Sequence, residues 1–185
     1  MNNSYRFCPW CGGGLSARDE KGKMSCLKKE CGFVFYNNPI PVVVAVIPMY
    51  SLDYRYHPFN LPKIKEFPKG GLVCVKRKFA PHPGEWCLPC GFVDAHEDPK
   101  DAVEREALEE TGLKAKAYGN PIVICNSGKS NRLMLVYLVY PCGGELKAGD
   151  DAEDVAVFGY DNTPNLCFPV HVDVAKGYWR GDFRP

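Results

Sequence analysis

No apolar run in this 185-residue chain is long enough to cross a bilayer. The two longest, at 42–47 and 133–140, stop far short of the roughly 18 to 20 residues a spanning helix needs. That excludes a transmembrane helix, and no membrane partner is expected. The N-terminal Met1-Asn2-Asn3-Ser4-Tyr5-Arg6 has no apolar segment behind its one charge, which predicts no secretory signal and a cytoplasmic location. Internal repeats and low-complexity tracts are lacking. Net charge is scarce as well, since 23 Lys and Arg against 22 Asp and Glu leave +1. With 45% hydrophobic and 24% charged residues, the composition predicts one compact domain plus a small accessory unit.

Aliphatic residues are few before residue 37, so that segment cannot build an apolar core alone. What it has is cysteine. Of ten cysteines in the chain, four are bunched here: Cys8-x2-Cys11 and Cys26-x4-Cys31, separated by fourteen residues. A disulfide scaffold fits short secreted chains, whereas two cysteine pairs at this spacing fit the knuckles of a zinc ribbon, although x4 in the second departs from the commoner x2. Four thiolates around tetrahedral Zn2+ leave no open position for water, so the expected role is structural. We therefore expect a zinc ribbon over 1–37 and a second domain over 38–185. The ribbon carries six Lys or Arg against three acids, too ordinary a balance to predict nucleic-acid binding.

From residue 40 β-branched runs predict strands at 41–47 and 71–75. Between them 49–70, with Pro58, Pro62, Pro68 and five aromatics, reads as an ordered loop insertion. A helix over 99–111 is well punctuated: Asp98 as N-cap, Pro99 in the first position and Gly112 at the end. Strands are expected at 113–118, 121–125, 132–140 and 154–158. The stretch 169–178 is ambiguous, since Val170, Val172 and Val174 alternate as in a strand while its length and Gly177 permit a helix. Trp86-Cys87-Leu88-Pro89-Cys90 imitates a redox Cys-x-x-Cys motif. No helix follows it directly, so it is read as a strand.

The bland net charge conceals an uneven distribution. Residues 91–113 hold eight acids against Lys100 and Arg105, a net −6 that leaves +7 elsewhere. On the helix, Val103 and Ala107 mark the apolar stripe, Glu106 and Glu110 fall beside it, and Glu109 is next along the arc. Carboxylates crowded near a buried side repel one another unless a cation neutralises them, and Mg2+ or Mn2+ suits oxygen ligands. Arg105 can pair with Glu109 or with Glu97 and orient the group.

The stretch runs Gly91, five residues, Glu97, seven residues, Arg105-Glu106-Ala107, one residue, Glu109-Glu110, one residue, Gly112-Leu113. It resembles the signature box of the Nudix hydrolases at all seven fixed positions and both hydrophobic ones. The resemblance implies an α/β/α sandwich with a mixed sheet, the box helix on one face and 169–178 as a second helix on the other. It implies that Glu106, Glu109 and Glu110, with the backbone carbonyl of Cys90, bind Mg2+ or Mn2+, and that Glu97 and Arg105 tie loop to helix. Glu106 is the first choice of general base, with Asp150, Asp151 and Glu153 as alternatives.

The implied reaction is attack of water on the diphosphate of a nucleoside diphosphate linked to a second group. A ribbon followed by Tyr36-Asn37-Asn38-Pro39 is similar to the zinc-ribbon branch of the family, whose members act on NADH, FAD and ADP-ribose. The NADH-cleaving members carry a Ser-Gln-Pro-Trp-type motif after the box, where this chain has Cys125-Asn126-Ser127-Gly128-Lys129-Ser130-Asn131-Arg132. That departure favours ADP-ribose or FAD over NADH. The expected partner is a small nucleotide, and a homodimer is compatible with the sequence. The alternative is a nucleotide sensor that binds without cleaving, which loss of box glutamates would have signalled.

Overall fold

The computed structural model describes residues 5–49, 71–149 and 151–183. Residues 50–70, most of the expected insertion, and Asp150 lie outside them. The chain divides into two compact units, Met1–Pro39 and Ile40–Pro185, against the 37/38 boundary expected from composition. No described helix is long and apolar enough to cross a membrane.

The first unit is two knuckles and a short hairpin. Strands β1 (Met24–Ser25) and β2 (Val34–Phe35) pair antiparallel. In the first knuckle Cys8 N–H donates to Gly13 O and Gly12 N–H to Cys8 O; in the second Cys26 N–H donates to Phe33 O and Cys31 N–H to Lys28 O. Each turns on a glycine directly after its last cysteine, Gly12 and Gly32, both at φ 68°, where a Cβ would be strained. Among its described residues only Cys8 and Met24 are buried apolar groups. The apolar core is too small to hold the unit by itself.

In the second unit β3 (Ile40–Val46) is the central strand. It pairs in parallel with β9 (Arg132–Gly144), Val44 opposite Val136, and antiparallel with β7 (Cys90–Phe92), Val44 opposite Cys90; β9 continues to β8 (Leu113–Asn126). A second sheet joins β4 (Pro48–Met49), β5 (Gly71–Arg77) and β10 (Ala152–Phe158), with β6 (Trp86–Cys87) also on β5. Both faces of β3 are covered, which is why its sequence is a continuous apolar run. Val43, Ala45 and Ile47 pack with Ala102, Val103 and Ala107 of α1 (Pro99–Thr111). Val42, Val44 and Val46 share a cluster with Val174 and Ala175 of α2 (Pro169–Arg180). The result is a mixed α/β sandwich with one helix on each face.

Helix α1 has the expected bounds for the expected reasons. Asp98 accepts a hydrogen bond from Lys100 N–H at 2.8 Å, and Gly112, at φ 71°, donates to Leu108 O. Three expectations are corrected. The strands at 113–118 and 121–125 form one strand, β8, because its ladder with β9 resumes after a bulge: Tyr118 faces Leu138 and Val123 faces Val136. The stretch 86–90 is two strands in different sheets, β6 and β7, separated by Leu88 and Pro89. Helix α2 runs past the expected 178 to Arg180, capped by Gly181 at φ 86°, and within it a Cβ at Gly177 would stand 2.7 Å from the Phe183 ring. Glycine at 177 admits that ring, so its reason is packing.

Candidate active site

The bend from β7 into α1 places the box residues around Arg105. Its Nε and Nη2 grip both oxygens of Glu97 at 2.8 and 2.9 Å; Nη1 reaches Glu106 at 2.8 Å and Glu109 at 3.0 Å; Nη2 also donates to Phe92 O at 3.0 Å. One guanidinium thus ties the loop, the strand and the helix together. Glu97, held by Arg105 and by the Asp94 N–H, has its carboxyl lowered to about 2. It stays ionised across the physiological range.

Glu110 is buried, and its Oε2 accepts the Cys90 N–H at 2.9 Å. Burial pushes its carboxyl up to about 8, against the pull of the Cys90 N–H and with help from the Glu106 charge. Burial also raises Glu106, against Arg105. The carbonyl of Cys90 lies on the same side. Because Ala45 N–H bonds to Pro89 O and Val93 N–H to Pro41 O, the Cys90–Val44 pair falls between hydrogen-bonded pairs of the ladder, so its N–H and C=O both point away from β3. Gly91 completes this wall: a Cβ there would lie 2.0 Å from the Glu106 carboxyl carbon. No side chain fits at 91 while Glu106 keeps its place.

The sequence had placed three carboxylates together at the buried side. The structure brings Glu106 and Glu110 there, but Glu109 projects outward with its side chain 56% exposed. Its contact with Arg105 turns it back toward the group. Of the alternative bases, Glu153 is engaged by Lys76 at 2.9 Å, and the Asp151 charge acts on Glu110. Two contributors were not foreseen. Arg77 on β5 opposes the upward shift of Glu110. Gly149 lies so close to α1 that a Cβ would stand 1.6 Å from Glu109 O, and its N–H donates to Glu110 O at 3.2 Å. Neither carries a helical or metal-ligand spacing that a sequence could reveal.

The chemistry of the donor set fits a hard divalent cation. Arg105 supplies one positive charge to the carboxylates of Glu97, Glu106 and Glu109, and Glu110 has no cation in direct contact among the described residues. A NUDIX domain model matches residues 66–168, over half of the chain. The chain belongs to the Nudix family. The ADP-ribose pyrophosphatase of Methanocaldococcus jannaschii is 38% identical over 112 residues, covering 59% of this chain and 66% of that protein. The NAD-capped RNA hydrolase NudC of Chromobacterium violaceum is 25% identical over 177 residues, covering 92% of this chain and 56% of that protein. This Nudix chain thus spans less than two thirds of either relative. A crystal structure of a Nudix hydrolase from Nitrosomonas europaea shares the fold, at TM-score 0.76 and 22% identity over 98% of this chain and 95% of that one.

In the first unit the four thiols form a compact set. Cys8 Sγ is 3.7 Å from Cys31 Sγ, and Cys11 Sγ is 3.5 Å from Cys26 Sγ. With Zn–S bonds of about 2.3 Å a tetrahedron has edges of about 3.8 Å, the spacing of these two pairs, and all four ligand atoms lie within 4.8 Å of one another. The Gly13 N–H lowers Cys11 to about 7, whereas Cys31, despite the Phe33 N–H, is pushed up to about 12 by desolvation and its neighbouring thiols. Crowded thiols resist ionising together unless a cation shares them.

Proposed function

We propose that this Nudix chain is a Mg2+- or Mn2+-dependent pyrophosphatase that cleaves a nucleoside diphosphate linked to a second moiety, with ADP-ribose the first substrate and FAD the second. The observation that carries the reading is the buried Glu110, held by the Cys90 N–H beside Glu106 and Arg105. Buried carboxylates with raised proton affinity suit a place where a cation and a phosphate meet. Glu106, Glu109, Glu110 and the Cys90 carbonyl would hold the ion. Such an ion would polarise the diphosphate and would neutralise the acidic helix that otherwise repels it.

The chain's own groups divide the remaining work. Arg105 and Glu97 fix the loop against the helix, and Gly91 lets the Glu106 carboxylate sit against the β7 backbone. Glu106 is the general base that takes the proton of the attacking water, with Asp151 the next choice. The ADP-ribose preference is supported by the M. jannaschii relative's name and by the absence of a Ser-Gln-Pro-Trp-type motif after the box. Zn2+ in the Cys8, Cys11, Cys26 and Cys31 cluster is structural, replacing the core that the first unit lacks. The deciding experiment incubates the pure chain with ADP-ribose, FAD, NADH, coenzyme A, dinucleoside polyphosphates and nucleoside triphosphates, with either ion. Metal-dependent release of AMP from ADP-ribose or FAD is expected. Tight nucleotide binding without turnover of any of them would replace the enzyme by a sensor.

A further inference from the structure

A second cluster of soft ligands lies in the Nudix unit, bordering the box carboxylates through the Cys90 backbone and distinct from the four ribbon cysteines. Cys87, Cys90 and His171 each offer a ligand atom, all within 4.8 Å of one another. Cys87 and His171 are fully buried. Cys167 stands beside them, its thiol in contact with that of Cys87 and its N–H donating to Trp86 O at 2.9 Å. In sequence the four read Cys87-x2-Cys90 and Cys167-x3-His171, a two-pair arrangement of the kind that wraps one tetrahedral ion. We propose that Cys87, Cys90, Cys167 and His171 form a second, buried Zn2+ site that clamps the first turn of α2 to the β6–β7 junction.

His171 gives an independent reason. Its Nδ1 accepts the Leu88 N–H at 3.2 Å, while Nε2, fully buried, has no partner among the described residues. An unpaired buried nitrogen is costly, and such a group calls for a partner. Because Nδ1 accepts, the ring proton sits on Nε2; a metal ion on Nδ1 would displace the Leu88 N–H toward the Cys87 sulfur, and one on Nε2 would require the ring proton to move to Nδ1. Charge is balanced as well. Three thiolates, one neutral imidazole and Zn2+ sum to −1, and the Arg77 guanidinium lies 4.0 Å from Cys87 Sγ. The buried assembly is therefore neutral, with the three thiol protons released to solvent. Cys87, Cys90 and His171 need only a small closure, from 4.8 Å or less to the tetrahedral edge of about 3.8 Å, and Cys167, in contact with Cys87, would swing in as the fourth ligand.

The site has a consequence for the box. Cys90 donates its N–H to Glu110 and precedes Gly91, so an ion on its sulfur would pin the backbone that shapes the Glu106 and Glu110 wall. The test is zinc content of the full chain by plasma mass spectrometry, after dialysis against excess Mg2+ to clear the box carboxylates. The Cys8→Ser, Cys26→Ser double variant should retain one equivalent that the added Cys87→Ser, His171→Ala pair removes. With Co2+ in place of Zn2+, that double variant should show the intense thiolate charge-transfer band that oxygen ligands do not give. Its d–d bands should lie at higher energy than those of the ribbon, because an imidazole replaces a thiolate. If the Cys87 and His171 variants fail to fold, the cobalt spectrum of the ribbon variant decides alone. Zinc-free ribbon variants without a charge-transfer band would overturn the proposal, as would a Cys87–Cys167 disulfide in freshly purified chain. Zinc that survives the ribbon mutations but falls with Cys87 supports this site whatever the ribbon itself binds.

Discussion

Gly91→Ala should disable the proposed hydrolysis without unfolding the chain. The added Cβ would stand 2.0 Å from the Glu106 carboxyl carbon and Oε1 and 2.3 Å from Oε2. Nonbonded carbons approach to about 3.5 Å, so the carboxylate must retreat by about 1.5 Å. Because the obstructing atoms are the far end of a flexible side chain, the backbone has no need to move. The stability loss is bounded by the Arg105–Glu106 hydrogen bond, about 1 to 3 kcal/mol, while Arg105 keeps Glu97, Glu109 and Phe92 O. Misplacing a catalytic group by about 1 Å can cost about 100-fold in rate, equivalent to about 2.7 kcal/mol of barrier. The assay pairs kcat at saturating ADP-ribose, or whichever nucleotide of the panel is turned over, with Tm. Gly143→Ala, where a Cβ meets nothing within 4 Å, serves as the neutral control. A Gly91→Ala enzyme with wild-type kcat would refute the reasoning, and so would one whose lost activity merely tracks lost fold.

Glu109→Gln and Glu110→Gln should each lower kcat by about 100-fold or more through loss of charge stabilisation, and Arg105→Ala should lower it less; near-native turnover by both glutamine variants would remove the metal assignment. In EDTA, Glu110 should make the fold less stable as pH rises from about 4.5 to about 8, because the buried carboxyl holds a proton that the unfolded chain has released. Glu97, lowered to about 2, acts in the opposite sense, its contribution present above about 4.5 and lost as pH falls toward 2. Tm measured against pH for wild type and Glu110→Gln isolates the first effect, and an unchanged slope in the variant argues against it. Cys8→Ser or Cys26→Ser should release the ribbon's one zinc equivalent and loosen the first unit while the Nudix unit stays folded; the loss of that equivalent together with a retained melting transition checks this. Hydrolysis in oxygen-18 water should label a phosphate product, AMP or ribose 5-phosphate from ADP-ribose, since the box can reach phosphorus and not the sugar carbons. Label on a sugar carbon, or free adenine as primary product, contradicts the mechanism.

What the sequence determined by itself is local or periodic. Capping at Asp98, Pro99 and Gly112 is a matter of neighbouring backbone groups, and the helix it bounds is found over Pro99–Thr111. The run at 42–46 shows burial on both faces because alternate residues meet different helices. Cysteine spacing predicted a four-thiol cluster for the same reason, since each knuckle closes within a few residues. Tertiary structure decided the rest. Pro121 and Gly119 end a strand by local rules, yet β8 continues because β9 supplies hydrogen-bond partners on the far side of the bulge. Alternating valines at 170–174 allow strand or helix, and packing against the core cluster chose α2. Helical periodicity placed Glu109 beside Glu106, but its exposure depends on where neighbouring elements stop covering the helix. Nothing in Cys87-x2-Cys90 announces that Cys167 and His171 will join it. Their approach comes from folding α2 back onto strands some eighty residues earlier, a contact that no local spacing encodes.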